Sequence, residues 1–596
     1  MAVAGIESET SLVFLCIDAA SQSKAAVDRW RRQHRSLERL PSHLAEALLH
    51  RLLRRRLLFP SLLELFKFNV EEVDLRGESF VDAEWIAYLG AFFNLRSLNL
   101  SGCQRITNSA LWPITGLASL RELDISQCLR VNNSGIKHLV SLQNLEKLYI
   151  SGTGVTADGV KLVASLRKLI VLDLGGLPVS DLALSSLKVL KNLEHLDVWG
   201  SSISDKGVPI LGEFHRLGFL NLAWTKSTML PNLKSLGCLN MSNCIIKSVV
   251  DVHGDSSLLR KLILHGASLT YDGEVFSYID SSSLSFLDIS NTDLHHFGFL
   301  DRMHSLEHLD LSSSMITDDS MEIVACIGTN LKHLNLKNTR VSSVGVGILA
   351  GHVPHLEFIS LSGTPIDDVA LAYISLMPSL EVVDLSNTAV KGHTYLQGHD
   401  QDENLSLAAL QDLLHLKRLD LSGTFVTDAG LLPLSGFHEL AHLSLMNASL
   451  TSACLPHLSS MKKLVEISIR DALLGDDGLS SFNPPPTAKV LDIRGCWLLT
   501  EGGLKVFCGN HPELEVRHEL VEVPSPSTVL SYAKSPLSRP TSQGPKSKKQ
   551  SKLPVSPSIF RDDMIDQRIK YTRDELLALQ GVSSSSTSDN ICDAKE

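Results

Sequence analysis

Tyr571, Arg573, Leu576 and Leu577 set a phenol ring, a guanidinium and two adjacent leucines close together near the end of a 596-residue sequence. Such groups do binding chemistry: an aromatic anchor, a cation for a carboxylate, and apolar side chains that fill a groove. Thr572 precedes Glu575 by three residues. At that spacing each side chain satisfies a backbone amide of the other at a helix start. Tyr571 before the cap and Leu576 as the fourth helical residue have the spacing of a hydrophobic staple. The sequence therefore predicts a binding helix near 571–579. A helix of about two turns is marginal alone in water, so it needs something to fold against.

Groups for catalysis or metal binding do not assemble in the same way. His304 and His308 are four apart, but no third ligand lies near them and His308 falls on a strand, so no metal is expected. Gly345 and Gly347 form a GVG phrase without the Lys-Ser/Thr of a phosphate loop, which marks them as structural. The ten cysteines contain no CxxC pair and several fall at equivalent points of a repeat. They are expected as reduced, buried thiols. No enzymatic activity and no cofactor are implied.

The elements that must carry the tail come from a repeat. LRSLNLSGC begins at Leu95, LRELDISQC at Leu120, LEKLYISGT at Leu145, LIVLDLGGL at Leu169 and LEHLDVWGS at Leu193. The frame resumes from Leu217 to Leu380 and from Leu416 to Leu464, ends near Val490, and has a degenerate first copy at Val70. With a period of about 24 or 25 residues that makes about eighteen repeats. Each LxxLxL alternates as a strand does, one set of side chains inward and the next outward. Phrases such as VTADG, ISDKG and VTDAG follow, and their Asp or Ser reads as an N-cap, so each repeat is expected to return along a short convex helix.

This pattern resembles the leucine-rich-repeat family, in the variety with Cys or Thr after the strand, over about Val70 to Leu514. The resemblance implies an α/β fold: a leucine-rich-repeat solenoid, a horseshoe with parallel strands on the concave face. We divide the chain into a helical N-terminal cap (1–67), the repeat solenoid (68–520) with a loop insertion near 390–408, and a disordered tail (521–596). The insertion, GHTYLQGHDQDEN, is polar and turn-prone. The tail is rich in Ser, Pro and Lys and cannot bury enough apolar surface to offset its conformational entropy. Ser525, Ser535 and Ser556 each precede proline there, and Lys546, Lys548, Lys549 and Lys552 form a basic run.

Two features of the strands invite a binding reading. Outward positions hold Asp74, Asp124, Asp173, Asp197, Asp288, Asp310, Asp384, Asp420 and Asp492, a column that would repel phosphate and attract a basic peptide, or else is simply the solvated polar strand face common among such repeats. Trp199, Phe219 and Trp224 lie near neighbouring strands and would form an aromatic patch, or else cover the strand-to-helix corner. A net charge of −11 argues against direct DNA binding. No segment approaches the roughly 20 apolar residues of a membrane span. Glu7 and Glu9 stand where a secretory signal carries positive charge, so a cytoplasmic location is expected, without membrane association.

Tyr571, Leu576 and Leu577 resemble the Tyr-x4-Leu-hydrophobic motif by which initiation factor 4G and the 4E-binding regulatory proteins dock on translation initiation factor 4E. The resemblance implies that Tyr571 packs on the factor, that Arg573 pairs with an acidic group, and that Leu576 covers a surface tryptophan. A repeat array joined to this motif is similar to the CERES family of plant translation regulators. It implies a scaffold that binds factor 4E, or its isoform, through the tail while the repeats recruit other protein partners.

The N-terminus supplies an alternative. Residues 11–20, SLVFLCIDAA, resemble an elongin C box carried by Leu12 and Cys16, and residues 40–48, LPSHLAEAL, resemble a cullin box with Leu40, Pro41, Leu44 and Leu48. Both resemble the start of the ZYG-eleven and ZER-one ubiquitin-ligase substrate receptors, and imply elongin C as a partner. Those receptors carry an armadillo-type domain after their repeats, and none is read among these residues. Leu12, Cys16 and Ala20 also form the i, i+4, i+8 stripe of any capping helix.

Overall fold

A computed structural model describes residues 12–32, 39–251, 259–270, 275–276, 279, 281–395, 403–519 and 570–581. The chain divides into two compact units, Met1–Leu380 and Glu381–Glu596. The Ser-Pro and lysine features of the tail lie outside the described residues.

The first unit opens with helices Leu12–Ala20, Lys24–Arg31 and Ser42–Arg54 and the short turn Pro60–Leu63. Ser42–Arg54 is amphipathic and buries Ala45, Leu48, Leu49, Leu52 and Leu53. Parallel three-residue strands then run from Glu72–Asp74 to Phe358–Ser360. Their register is invariant: Val73 pairs with Leu98, Leu98 with Leu123, and Leu309 with Leu334. These middle residues point into the core and are fully buried or nearly so. Burying each leucine is worth about 1.5–3 kcal/mol against leaving it exposed. A one-residue slip would turn the whole set outward, which is why the register holds.

A left-handed residue follows each strand. It is Gly102, Gly152 and Gly176 in early repeats and Asn291 and Asn338 in later ones, the residue types that tolerate positive φ. Two residues before that turn closes, the outward Asp or Asn accepts a backbone amide: Asp124 Oδ1 from Ser126, Asp173 Oδ1 from Gly175, Asp288 Oδ1 from Ser290, each at 2.9 Å. Asp124, Asp173, Asp197, Asp288 and Asp310 are buried. The column is therefore a row of turn-closing carboxylates, not the freely solvated face expected, because a short polar side chain after a strand binds its own backbone two residues on.

The Cys or Thr that comes next does one of two jobs. Thr339 donates its hydroxyl to the Leu336 carbonyl of its own turn at 2.7 Å. Cys103 and Cys128 donate Sγ–H to Leu75 and Leu100, carbonyls of the preceding repeat, at 3.1 and 3.2 Å. Burial pushes both thiols up to about 12. Of the described cysteines none is in a disulfide, and most are buried.

Returns to the next strand are α-helical at Asn133–Leu139, Ala157–Val163, Ser343–Leu349 and Val369–Ile374, and 3-10 at Ser109–Gly116. Asn132, Ser180 and Ser342 cap their helices through their side chains, whereas the expected caps in VTADG, ISDKG and VTDAG make no side-chain cap hydrogen bond. The expectation of a helix in every repeat fails between Leu222 and Leu269. There Met229–Asn232 pairs in parallel with Ser248–Asp251, and Ile245–Ile246 with Ser268–Leu269, so the return is extended. In the first of these repeats Leu217 to Leu236 leaves too few residues for a helix and both corners; the spacings from Leu236 to Leu259 and from Leu259 to Leu284 are ordinary, and the parallel pairing to the neighbouring return keeps them extended.

The second unit repeats the scheme with parallel strands Val382–Asp384, Arg418–Asp420, His442–Met446, Glu466–Arg470, Val490–Asp492 and Glu515–Arg517. Two of them are five residues long. At the sequence insertion, Thr394–Tyr395 pairs antiparallel with Glu403–Asn404, while 396–402 lie outside the described residues.

Candidate functional site

The tail helix Arg573–Gly581 begins where its cap dictates. The Thr572 amide donates to Glu575 Oε2 at 2.7 Å, the Glu575 amide donates to Thr572 Oγ1 at 3.3 Å, and the Leu576 amide reaches the Thr572 carbonyl at 3.0 Å. Tyr571 stands just before the cap, half-buried, with the Lys570 ammonium 5.3 Å from its ring centroid. Arg573 is half-buried on the first turn, and the Leu577 side chain lies outside the described residues. Leu576 is only 3% exposed. A nine-residue helix cannot cover its own leucine to that extent, so this anchor is already sheltered by the chain.

At the other end, Leu12–Ala20 is an apolar helix with no buried residue. Leu12 is 75% and Leu15 53% exposed, and Cys16 is exposed. The helix is held from its inner side by charge: Asp18 Oδ1 accepts from Arg51 and Arg55, each at 2.6 Å. The Arg51 hydrogen bond first, with the two guanidinium charges, keeps the Asp18 carboxyl below its ordinary range. The Arg51 guanidinium also sits 5.0 Å from the Phe14 ring centroid. Of the second box, Pro41 is exposed and caps Ser42–Arg54, Leu40 and Leu44 are half-buried, and Leu48 belongs to the core. Leu12 and Cys16 are thus presented together, whereas Leu48 is spent on packing.

The aromatic patch is not where it was expected. Trp199 is buried over Gly175, and Phe219 is fully buried with its ring stacked on His195 at 3.9 Å. Trp224 alone is exposed, at a left-handed turn position with φ +57° that neighbouring repeats give to Gly or Asn. A different ladder was missed. Phe286, His308, His333 and Phe358 stack ring on ring over four adjacent strands, with centroids 3.9–4.0 Å apart. The signal was present in the sequence as the same offset in LSFLDI, LEHLDL, LKHLNL and LEFISL. Asn335 Nδ2 donates to Asp310 beside this ladder at 3.0 Å, and Lys332 pairs with Glu307 at 2.9 Å.

The family model of the leucine-rich repeat region matches residues 80–394, more than half of the chain, and a leucine-rich-repeat model matches residues 413–435. The chain belongs to the leucine-rich-repeat family. Leucine-rich-repeat proteins generally act as protein-interaction scaffolds, and this chain is read as one. A comparison with curated proteins returns no match. Similar solved structures include an internalin from Listeria monocytogenes (19% identity, 65% of this chain and 90% of that one, TM-score 0.35). A leucine-rich-repeat protein of Leptospira interrogans is 17% identical over 75% of this chain and 95% of its own, with a TM-score of 0.42. The plant peptide hormone receptor RGFR1 in complex with RGF2 is 15% identical over 73% of this chain and 77% of its own, with a TM-score of 0.34. Among the described residues no helix is long and apolar enough to cross a membrane.

Proposed function

We propose that this leucine-rich-repeat scaffold docks on translation initiation factor 4E, or its isoform, through Tyr571, Arg573, Leu576 and Leu577, and regulates translation initiation in the cytoplasm of a plant cell. The repeat array recruits other protein partners. The observation that carries this reading is the reciprocal Thr572–Glu575 cap, which starts the helix directly after Tyr571 and sets Leu576 one turn beyond it. The hydrophobic-staple spacing of Tyr571 and Leu576 around that cap supports the reading. Because Leu576 is sheltered in the chain, docking exchanges one cover for another. The apparent affinity is then lowered by the fraction of chains with the helix released. Cap-bound factor 4E should capture the full chain, and Tyr571→Ala with Leu576→Ala should weaken capture at least tenfold while the repeats stay folded. Equal capture of both proteins would end the translational reading.

A second reading, as an elongin C and cullin-type ubiquitin-ligase substrate receptor, is favoured by the exposure of Leu12 and Cys16 on a helix that buries nothing. Purified elongin C should be retained by the intact chain and lost on Leu12→Ala with Cys16→Ala. Retention unchanged by the pair of substitutions would remove this reading and leave the first untouched.

A further inference from the structure

Beneath the exposed N-terminal helix lies a cavity of about 490 Å³, bounded by Leu12–Ala20, Ser42–Arg54 and the first two strands. Its apolar walls come from Phe14, Ile17, Ala47 and Val73. Its strand end is acidic. Glu46 Oε1 accepts the amides of Glu71 at 2.9 Å and Glu72 at 3.1 Å, which fixes that carboxylate at the joint between helix and sheet. Glu72 and Asp74 project beside it from one strand, in register with Ser97 and Asn99 on the next. Burial, the first cause, raises the Glu46 carboxyl above its ordinary range, with the nearby Glu72 and Glu71 charges acting the same way. The helix side carries Arg51, Arg54, His43 and His50. Arg51 is committed to Asp18 and to the Phe14 ring.

We propose that this cavity binds an arginine side chain of a protein partner, with the guanidinium between Glu46, Glu72 and Asp74 and the aliphatic stem along Ile17 and Ala47. Charge complementarity selects the cation, since carboxylates gathered around an apolar hollow favour a charge of opposite sign. The planar fork of donors selects guanidinium over ammonium, because several N–H groups can meet separate carboxylate oxygens at once. An anionic group fits poorly at the strand end, where it would face all three carboxylates. The proposal does not rest on factor 4E binding.

The probe is p-aminobenzamidine, an amidinium on a flat ring whose fluorescence rises when the ring leaves water. Titrated into the full chain near pH 7, it should bind saturably with one site. Glu72→Gln with Asp74→Asn, which removes charge from two surface positions without removing the side chains, should weaken binding at least tenfold. Ala47→Trp should fill the hollow and abolish it, with an unchanged melting curve as the check on folding. A short peptide with a central arginine should compete, and the same peptide with citrulline should not. Competition by both peptides alike would show a hydrophobic hollow and overturn the assignment. So would the absence of saturable binding, or equal affinity in the wild-type and charge-neutral chains.

Discussion

The repeats around Leu334 and those around Leu239 keep the same strand register but come back to it by different routes. Leu334 lies between the helical returns Met321–Cys326 and Ser343–Leu349, whereas Leu239 lies among returns made of short extended strands. Both leucines are fully buried and pair with the middle residue of each neighbouring strand. The difference teaches that the inward leucines define the array and that the convex path can change from helix to extended strand without disturbing their register.

The largest expected effect tests that statement directly. Leu334→Ala should cost about 2–5 kcal/mol, and Leu239→Ala should cost a similar amount if the strand stack alone sets stability. Denaturant unfolding of the two variants measures this. A cost at Leu239 well below that at Leu334 would mean that the helical returns, not the strands, hold the core closed.

A smaller effect comes from the carboxylates that tie one return to the next. Asp318 accepts both the amide and the hydroxyl of Ser342, at 2.8 and 2.6 Å, and Asp205 accepts both groups of Thr228, at 2.6 and 2.9 Å, at the entry to the extended stretch. Loss of either should cost about 1–3 kcal/mol, since a part-buried amide is left without its acceptor. Asp318→Ala should open the helix Ser343–Leu349 to hydrogen exchange. Asp205→Ala should instead open the extended pairing at Met229–Asn232. Exchange confined to the same segment in both variants would break the comparison.

The extended stretch also holds a turn whose left-handed position is filled by tryptophan. Trp224 occupies a left-handed conformation that costs a branched or bulky L-residue about 1–2 kcal/mol, so Trp224→Gly should stabilise the chain by somewhat less than about 1 kcal/mol once the entropy of glycine is subtracted. A drop in melting temperature would show that the indole makes a contact worth more than the strain.

The smallest effect is one of pH. The Thr500 hydroxyl and amide hold the half-buried Asp476 carboxyl below its ordinary range. Its folded pKa is depressed, so its contribution is present above the unfolded value near 3.9 and lost as pH falls through the folded one. Asp476→Asn should flatten the acid limb of the stability curve of the second unit slightly. An unchanged limb would assign acid sensitivity elsewhere.

Strand register was legible because a leucine at each fixed offset admits one alternation. The Thr572–Glu575 cap was legible because it is local. What stayed hidden was contact between repeats. The phrase VTDAG reads as a helix cap, yet Asp428 in it accepts the amide and hydroxyl of Thr451 in the following repeat. The glycine of such phrases is likewise set by another repeat: a Cβ on Gly207 of ISDKG would meet Asp181 Oδ1 at 2.6 Å, while one on Gly430 of VTDAG would meet the Lys391 carbonyl oxygen at 3.1 Å. Nothing within one repeat reveals this. Cys128 and Thr339 stand at one position of the pattern, but the thiol is aimed at the previous repeat and the hydroxyl at its own turn. The burial of Phe219, whose ring stacks on His195 of the preceding repeat, is likewise a contact between repeats.

The buried thiols give the array a set of built-in chemical clocks. Cys103, Cys128, Cys238 and Cys454 are held near 12, so an alkylating reagent at neutral pH cannot modify them until their own repeat opens. Cys16 and Cys326 are exposed and should react at once. The order in which the remaining cysteines become labelled, read by mass spectrometry without altering a residue, would record where along the repeats the chain first comes apart.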